Sequence, residues 1–253
     1  MLFQKIILTL SFYTIGLFAY SQQKASIVVA ANMKSAMDSI VLIYNATYPT
    51  DHIVVTYGSS GKFYEQIMNG APFDVFFSAD MNYPEKLIKN KKAITRVKLY
   101  AIGKIVLWSK NTNPNLKKID LLTDPVIKKI SIATPKTAPY GAKAVESMNY
   151  YKIYDKVKDK LVYGENIAQT AQFVAFGAAD AGIIALSDAL SPKMKKENGF
   201  YYLIPQESYS PLNQGCVILK HGYKNDVAKR FYEFISSKSA VDILTYFGYS
   251  QKN

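Results

Sequence analysis

At 253 residues the chain has room for one large domain or two lobes, and its single cysteine, Cys216, excludes an internal disulfide, so a packed apolar core must hold the fold. The formal charge of +12 comes from lysines scattered in twos, such as Lys91-Lys92 and Lys117-Lys118. Without a long basic block or interleaved aromatic motif, this argues against a nucleic-acid groove and for a solvated basic surface that steers small anions.

Residues 1–21 read as a cleaved signal peptide: Lys5 precedes an apolar run through Leu17-Phe18, and Ala19-Tyr20-Ser21 places small residues at the cleavage positions. Removing Lys5 with that segment lowers the charge from +12 to +11. No cysteine near Gln22 offers a lipid anchor, which points to a periplasm.

Strand-like and helix-like segments then alternate, predicting an α/β architecture with mostly parallel sheets flanked by helices. Ala25 to Ala30 is a β-rich run; from Asn32, Met33, Met37, Ile40 and Tyr44 recur at helical spacing until Pro49. Ile53 to Tyr57 is a strand, Lys62 to Asn69 a helix closed by Gly70, Asp74 to Ser78 a strand and Tyr83 to Asn90 a helix. Lys104 to Ser109 and Ile130 to Ala133 follow as strands with a short helix near Asp120 between them, then Ala142 to Tyr150 as a helix. Strands Leu161 to Tyr163 and Ala181 to Ala185 flank helical Ala168 to Phe176. Gly215 to Leu219 reads as a buried strand, with Cys216 as a core residue, and Asp226 to Phe247 is mostly helix.

Four strand-to-helix junctions stand out: Ala30-Ala31-Asn32-Met33, Gly58-Ser59-Ser60-Gly61, Ala138-Pro139-Tyr140-Gly141 and Gly164-Glu165-Asn166-Ile167. In open α/β sheets ligands gather at such places. First-turn N–H groups have no intrahelical acceptor and the helix dipole adds partial positive charge, so an anion satisfies both. Asn32 and Ser60 supply neutral donors beside those amides, and Gly58 and Gly61 are expected to let the backbone approach the guest. Taken singly, Asn32 and Ser60 are ordinary cap residues; the four junctions together point to a site. Lys62 is expected to be solvated and Ser187-Asp188 to cap a helix. No phosphate-loop or dinucleotide glycine pattern occurs, His52 and His221 lack metal-ligand spacing, and no nucleophile and base pair stands out.

At these residues the chain resembles the periplasmic molybdate-binding proteins of ABC importers. The resemblance rests on Val28-Val29-Ala30-Ala31-Asn32-Met33-Lys34-Ser35-Ala36-Met37, on Gly58-Ser59-Ser60-Gly61 with Gln66-Ile67, on Gly70 to Asp80 and on Phe231 to Ile235 with Tyr246 to Tyr249. It implies the two-lobed type II binding-protein fold, with residues 22–102 and 214–253 in lobe 1, 103–213 in lobe 2, and crossings near Ala101-Ile102-Gly103 and Pro211-Leu212-Asn213-Gln214. It further implies a monomer without cofactor or catalytic activity that captures molybdate or tungstate tightly in the interlobe cleft and hands it to a membrane permease. Oxyanion contacts carry over to Asn32, Ser60, Tyr140 and the backbone of Ile167. Some family members place a tyrosine hydroxyl where this chain has Ala185, and Tyr140 is expected to replace that donor. The residues alone leave open sulfate, thiosulfate or ferric-ion binding on the same fold, and an enzyme acting on an anionic substrate.

Overall fold

The computed structural model describes residues 23–251, so the signal-peptide segment lies outside the described residues. The first sheet draws on both ends of this range. Its strands are β1 (Gln23–Ala30), β2 (Asp51–Gly58), β3 (Val75–Phe77) and β4 (Lys98–Gly103), with helices α1 (Lys34–Thr47), α2 (Ser60–Met68) and α3 (Asn82–Lys89) between them. The chain then enters a second sheet through β5 (Ile105–Ser109), β6 (Ile130–Ala133), α4 (Pro139–Tyr150), α5 (Tyr154–Val157), β7 (Leu161–Gly164) and α6 (Ile167–Ala175). It continues through β8 (Ala181–Ala185), α7 (Leu186–Ala189), α8 (Pro192–Lys196) and β9 (Phe200–Leu203). It returns to the first sheet as β10 (Leu212–Ile218) and ends in α9 (Asp226–Phe234) and α10 (Lys238–Tyr246).

The strand orders are β2-β1-β3-β10-β4 and β7-β6-β8-β5-β9. In each sheet three strands form the expected parallel core, one strand (β10 or β5) runs against it, and an edge strand (β4 or β9) pairs antiparallel with that one. The antiparallel additions, β4 with β10 and β5 with β9, adjoin the places where the chain changes sheets.

The near-continuous apolar runs follow from helices covering both faces of each sheet. Because side chains alternate along a strand, Ile27 and Val29 of β1 pack with Met37, Ile40, Tyr44 and Phe231 on one face. Val28 between them packs with Phe63, Phe76 and Leu87 on the other. The second sheet repeats the device: Ile105 and Leu107 face one cluster, Val106 and Trp108 another. Cys216 is wholly buried, as a core residue should be.

Two strands escape the sequence reading. Lys98–Gly103 and Phe200–Leu203 are edge strands, and the second is largely exposed along its length, so neither carries a strong buried pattern. The antiparallel pair β4 and β10 sets Leu212 opposite Gly103 and Gln214 opposite Ala101. The C-terminal segment lies against the same spot, where Ile102 and Ser250 exchange backbone hydrogen bonds at 2.8 and 3.0 Å.

Candidate functional site

The carboxyl ends of β1, β2, β6 and β7 bring all four junctions to one cavity between the sheets. Asn32, Ser60, Tyr140 and Ile167 line it together, with Ala79 from the turn after β3. Among the described residues, no charged side chain lines it.

Asn32 lies in a single 3-10 turn, Ala31–Met33, that leads into α1. Ser60 opens α2 but does not cap it: Ser59 is the N-cap and makes no side-chain cap bond. The Ser60 hydroxyl instead accepts from the Ala79 N–H at 3.0 Å, which fixes the side chain and leaves its own proton to donate. Tyr140 follows Pro139 at the start of α4, and Ile167 follows the N-cap Asn166, whose carboxamide oxygen accepts from the Gln169 N–H at 3.0 Å. Tyr140 and Ile167 thus carry first-turn amides, which have no acceptor within their helices.

The lobes touch around this cavity. The Gly61 N–H and the Ser59 hydroxyl donate to the Thr137 carbonyl at 2.8 and 2.6 Å, and the Tyr83 hydroxyl donates to the Lys136 carbonyl at 3.3 Å. The role expected for Gly61 changes here. A Cβ on it would stand 2.8 Å from the Thr137 backbone, so Gly61 admits the opposite lobe, not the guest. A Cβ on Gly58 would meet the Phe63 ring at 2.8 Å, a requirement of packing. Lys62, expected in solvent, pairs across the cleft with Glu165 at 2.7 Å while remaining about half exposed. Ser187, expected as a cap, donates to the Asn32 backbone carbonyl at 2.9 Å; α7 is preceded by Ala185 and has no side-chain cap bond.

Behind the cavity lies a buried polar cluster that the sequence reading did not assemble. The Asn32 Nδ2 lies 3.0 Å from Gln214 Oε1, 2.8 Å from the Tyr249 hydroxyl and 3.4 Å from the Tyr140 hydroxyl. The Tyr140 hydroxyl accepts from Gln214 Nε2 at 3.0 Å. What Tyr140 offers the cavity is therefore its backbone N–H; its hydroxyl, expected to stand in for the donor missing at Ala185, is engaged on the hinge side. Burial pushes the phenols of Tyr100, Tyr140 and Tyr249 well above the ordinary range, so the cluster adds no negative charge near neutrality. Gln214, placed in the second crossing by the resemblance, does not stand out as a site residue because a glutamine in a crossing segment reads as solvated, yet it is wholly buried.

Two α/β lobes joined at adjacent strands, with helix N-termini from both converging on one cavity, define the two-lobed class of solute-binding proteins. The family model for bacterial extracellular solute-binding proteins matches residues 25–250, and the chain belongs to that family. Its sequence is 38% identical to the molybdate-binding protein ModA of Rhodobacter capsulatus, over 87% of this chain and 86% of that one. With ModA of Azotobacter vinelandii it shares 38% identity over 92% and 93% of the two chains. The solved periplasmic molybdate-binding protein of Azotobacter vinelandii superposes with a TM-score of 0.83 at 31% identity, covering 90% of this chain and all of that one. The sulfate-binding protein SubI of Mycobacterium tuberculosis shares the fold alone, with a TM-score of 0.72 at 16% identity, over 90% of this chain and 86% of that one.

Proposed function

We propose that this protein is exported, captures a molybdate or tungstate dianion between its lobes, and presents it to the permease of an ABC importer. One observation carries the reading: four helix N-termini, two from each sheet, meet at a cavity that no charged side chain lines among the described residues. The proposed ligands are the Asn32 carboxamide, the Ser60 hydroxyl and the first-turn amides of Tyr140 and Ile167. Backbone amides and dipoles hold an anion without the desolvation that a buried cationic partner would cost. An all-donor lining also discriminates. A hydrogen phosphate brings a proton for which such a site has no acceptor, leaving a buried donor unpaired. The family's relatives named for molybdate support the choice of guest.

Closure follows from the same geometry. Only when Thr137 meets Gly61 can donors from both lobes reach one anion, so the guest favours the closed population that a permease would recognise. Calorimetric titration of the mature protein tests the assignment: molybdate or tungstate should bind at one site. Tight binding of sulfate or phosphate with no heat from molybdate or tungstate would overturn it.

A further inference from the structure

Asn32 is buried, and its amide faces a bookkeeping problem in hydrogen bonds. Its Nδ2 has two protons and lies against three oxygens, those of Gln214, Tyr249 and Tyr140, while its Oδ1 is buried with no partner among the described residues. The two ends of a carboxamide diverge by about 120°, so the unpartnered Oδ1 is turned away from the hinge cluster. The Tyr140 hydroxyl is approached by two donors, Gln214 Nε2 and Asn32 Nδ2.

A half turn of both amides pairs Asn32 Oδ1 and the Tyr140 proton within the cluster and moves the two-proton Nδ2 to the place that has no partner among the described residues. Asn32 Oδ1 then occupies the position 2.8 Å from the Tyr249 hydroxyl and 3.0 Å from Gln214, whose Nε2 now donates to it. Gln214 Oε1 moves to the position 3.0 Å from the Tyr140 hydroxyl and accepts its proton. The second Gln214 proton goes to the Tyr100 oxygen at 3.1 Å, and Tyr100 donates onward to the Ser78 carbonyl at 3.0 Å. The Asn32 backbone carbonyl gives up the Tyr249 hydroxyl, which donates to it at 3.0 Å, and keeps the Ser187 hydroxyl at 2.9 Å. Asn32 cannot turn alone: its Oδ1 would then face Gln214 Oε1, acceptor against acceptor.

We infer that Gln214, Tyr249 and Tyr140 form a positioning relay that pins the Asn32 carboxamide with Oδ1 towards the hinge and Nδ2 towards the anion, and so set the site's preference for unprotonated dianions. The inference rests on the oxyanion reading and deepens it. Pinned this way, Asn32 offers only a donor; released, it could present Oδ1 and accept the proton of a hydrogen oxyanion. Gly103 supplies an independent mark of the relay. A Cβ there would fall 2.2 Å from the Tyr140 hydroxyl and 2.6 Å from Gln214 Nε2, so the last residue of β4 is bare where the cluster needs the space. Gln214 lies on β10 and Tyr249 precedes Ser250, which bridges Ile102. The pin is thus fastened to the strands that join the lobes.

The test compares the wild type with Gln214→Leu and Tyr249→Phe, titrated with molybdate and separately with inorganic phosphate at a pH where hydrogen phosphate prevails. Removing the pin costs an aligned charge-assisted bond, so molybdate affinity should fall about tenfold or more in Gln214→Leu. Phosphate should lose less, so the molybdate-to-phosphate affinity ratio drops about tenfold. Tyr249→Phe leaves Gln214 in place and should lower the ratio about threefold; it carries the test if Gln214→Leu does not fold. A merely structural role would weaken both anions equally, and an unchanged ratio in a folded variant overturns the inference while leaving molybdate capture intact. One readout needs no variant: the Asn32 side-chain nitrogen resonance of the wild type should shift on adding molybdate, and an unmoved resonance in a molybdate-bound protein also overturns it. A wild type that binds no molybdate at all would overturn the oxyanion reading first and this inference with it.

Discussion

Replacing Ser60 with alanine separates two roles that one hydroxyl plays. Its oxygen accepts from the Ala79 N–H at 3.0 Å, and both residues are almost wholly buried. Its proton is the donor proposed for the anion. Deletion leaves the Ala79 amide without that acceptor, a cost of about 1–3 kcal/mol to the protein whether or not anything is bound. In a chain of this size each kcal/mol shifts Tm by about 2–4 °C, so the free variant should melt about 2–12 °C lower. Separately, losing a hydrogen bond to a charged partner costs about 1.5–3 kcal/mol of binding, or about 10- to 150-fold in Kd. Scanning calorimetry of the free protein reads the first effect and titration with molybdate the second. Retention on heparin serves as control, because a basic surface that steers anions does not depend on Ser60. If the free variant melts lower yet binds molybdate within about twofold of wild type, Ser60 is a strut for Ala79, and the reasoning that assigns it to the anion is refuted.

The remaining expectations concern closure and pH. Saturating molybdate at about 100 times Kd should stabilise the protein by about 2.7 kcal/mol and raise its Tm by about 5–11 °C, read by thermal shift; sulfate at equal concentration should move it less. Lys62→Ala removes an interlobe pair whose side chains are about half exposed. Such pairs contribute about 0–1 kcal/mol, so molybdate affinity should fall by at most about fivefold, and the difference should vanish at high salt in titrations at several ionic strengths. Asp188 has a buried carboxylate oxygen with no partner among the described residues, and burial pushes its pKa up to about 8. Between the ordinary carboxylate pKa of about 4 and about 8 the unfolded chain gives up this proton while the folded chain keeps it, so the group's contribution to stability falls as pH rises through that window. Asp188→Asn should therefore melt higher than wild type at pH 8 and near it at pH 4; equal melting at both would show that the carboxyl ionises freely in the folded protein.

Much of this architecture is legible because burial leaves a mark in the pattern. Ile27, Val28 and Val29 read as a strand covered on both faces, and the structure divides them between two apolar clusters. The junctions were legible for a different reason: a strand, a small polar turn and a helical period in succession place residues such as Ser60 and Ile167 without any tertiary knowledge. What stayed hidden is whatever depends on the second lobe's approach. Gly61 looks like a residue that admits a ligand until Thr137 is seen against it. Lys62 looks solvated until Glu165 arrives, and Ser187 looks like a cap until the Asn32 carbonyl is within its reach. Gln214 is the hardest case, since its partners Asn32 and Tyr140 lie 182 and 74 residues away along the chain.

The glycines, the relay and the uncharged lining have a common consequence for how such a protein can bind tightly and still let go. A buried lysine opposite the anion would hold it in either lobe alone, since one strong point charge needs no second partner. Dipoles and single hydroxyls are individually weak, and their sum is large only when both lobes contribute. Here Asn32 and Ser60 come from the first sheet's junctions, and Tyr140 and Ile167 from the second's. Opening the cleft therefore removes half the proposed donors at once. The proposed affinity is a property of closure, and a permease that pries the lobes apart at Thr137 and Gly61 would release the anion without touching a ligand residue.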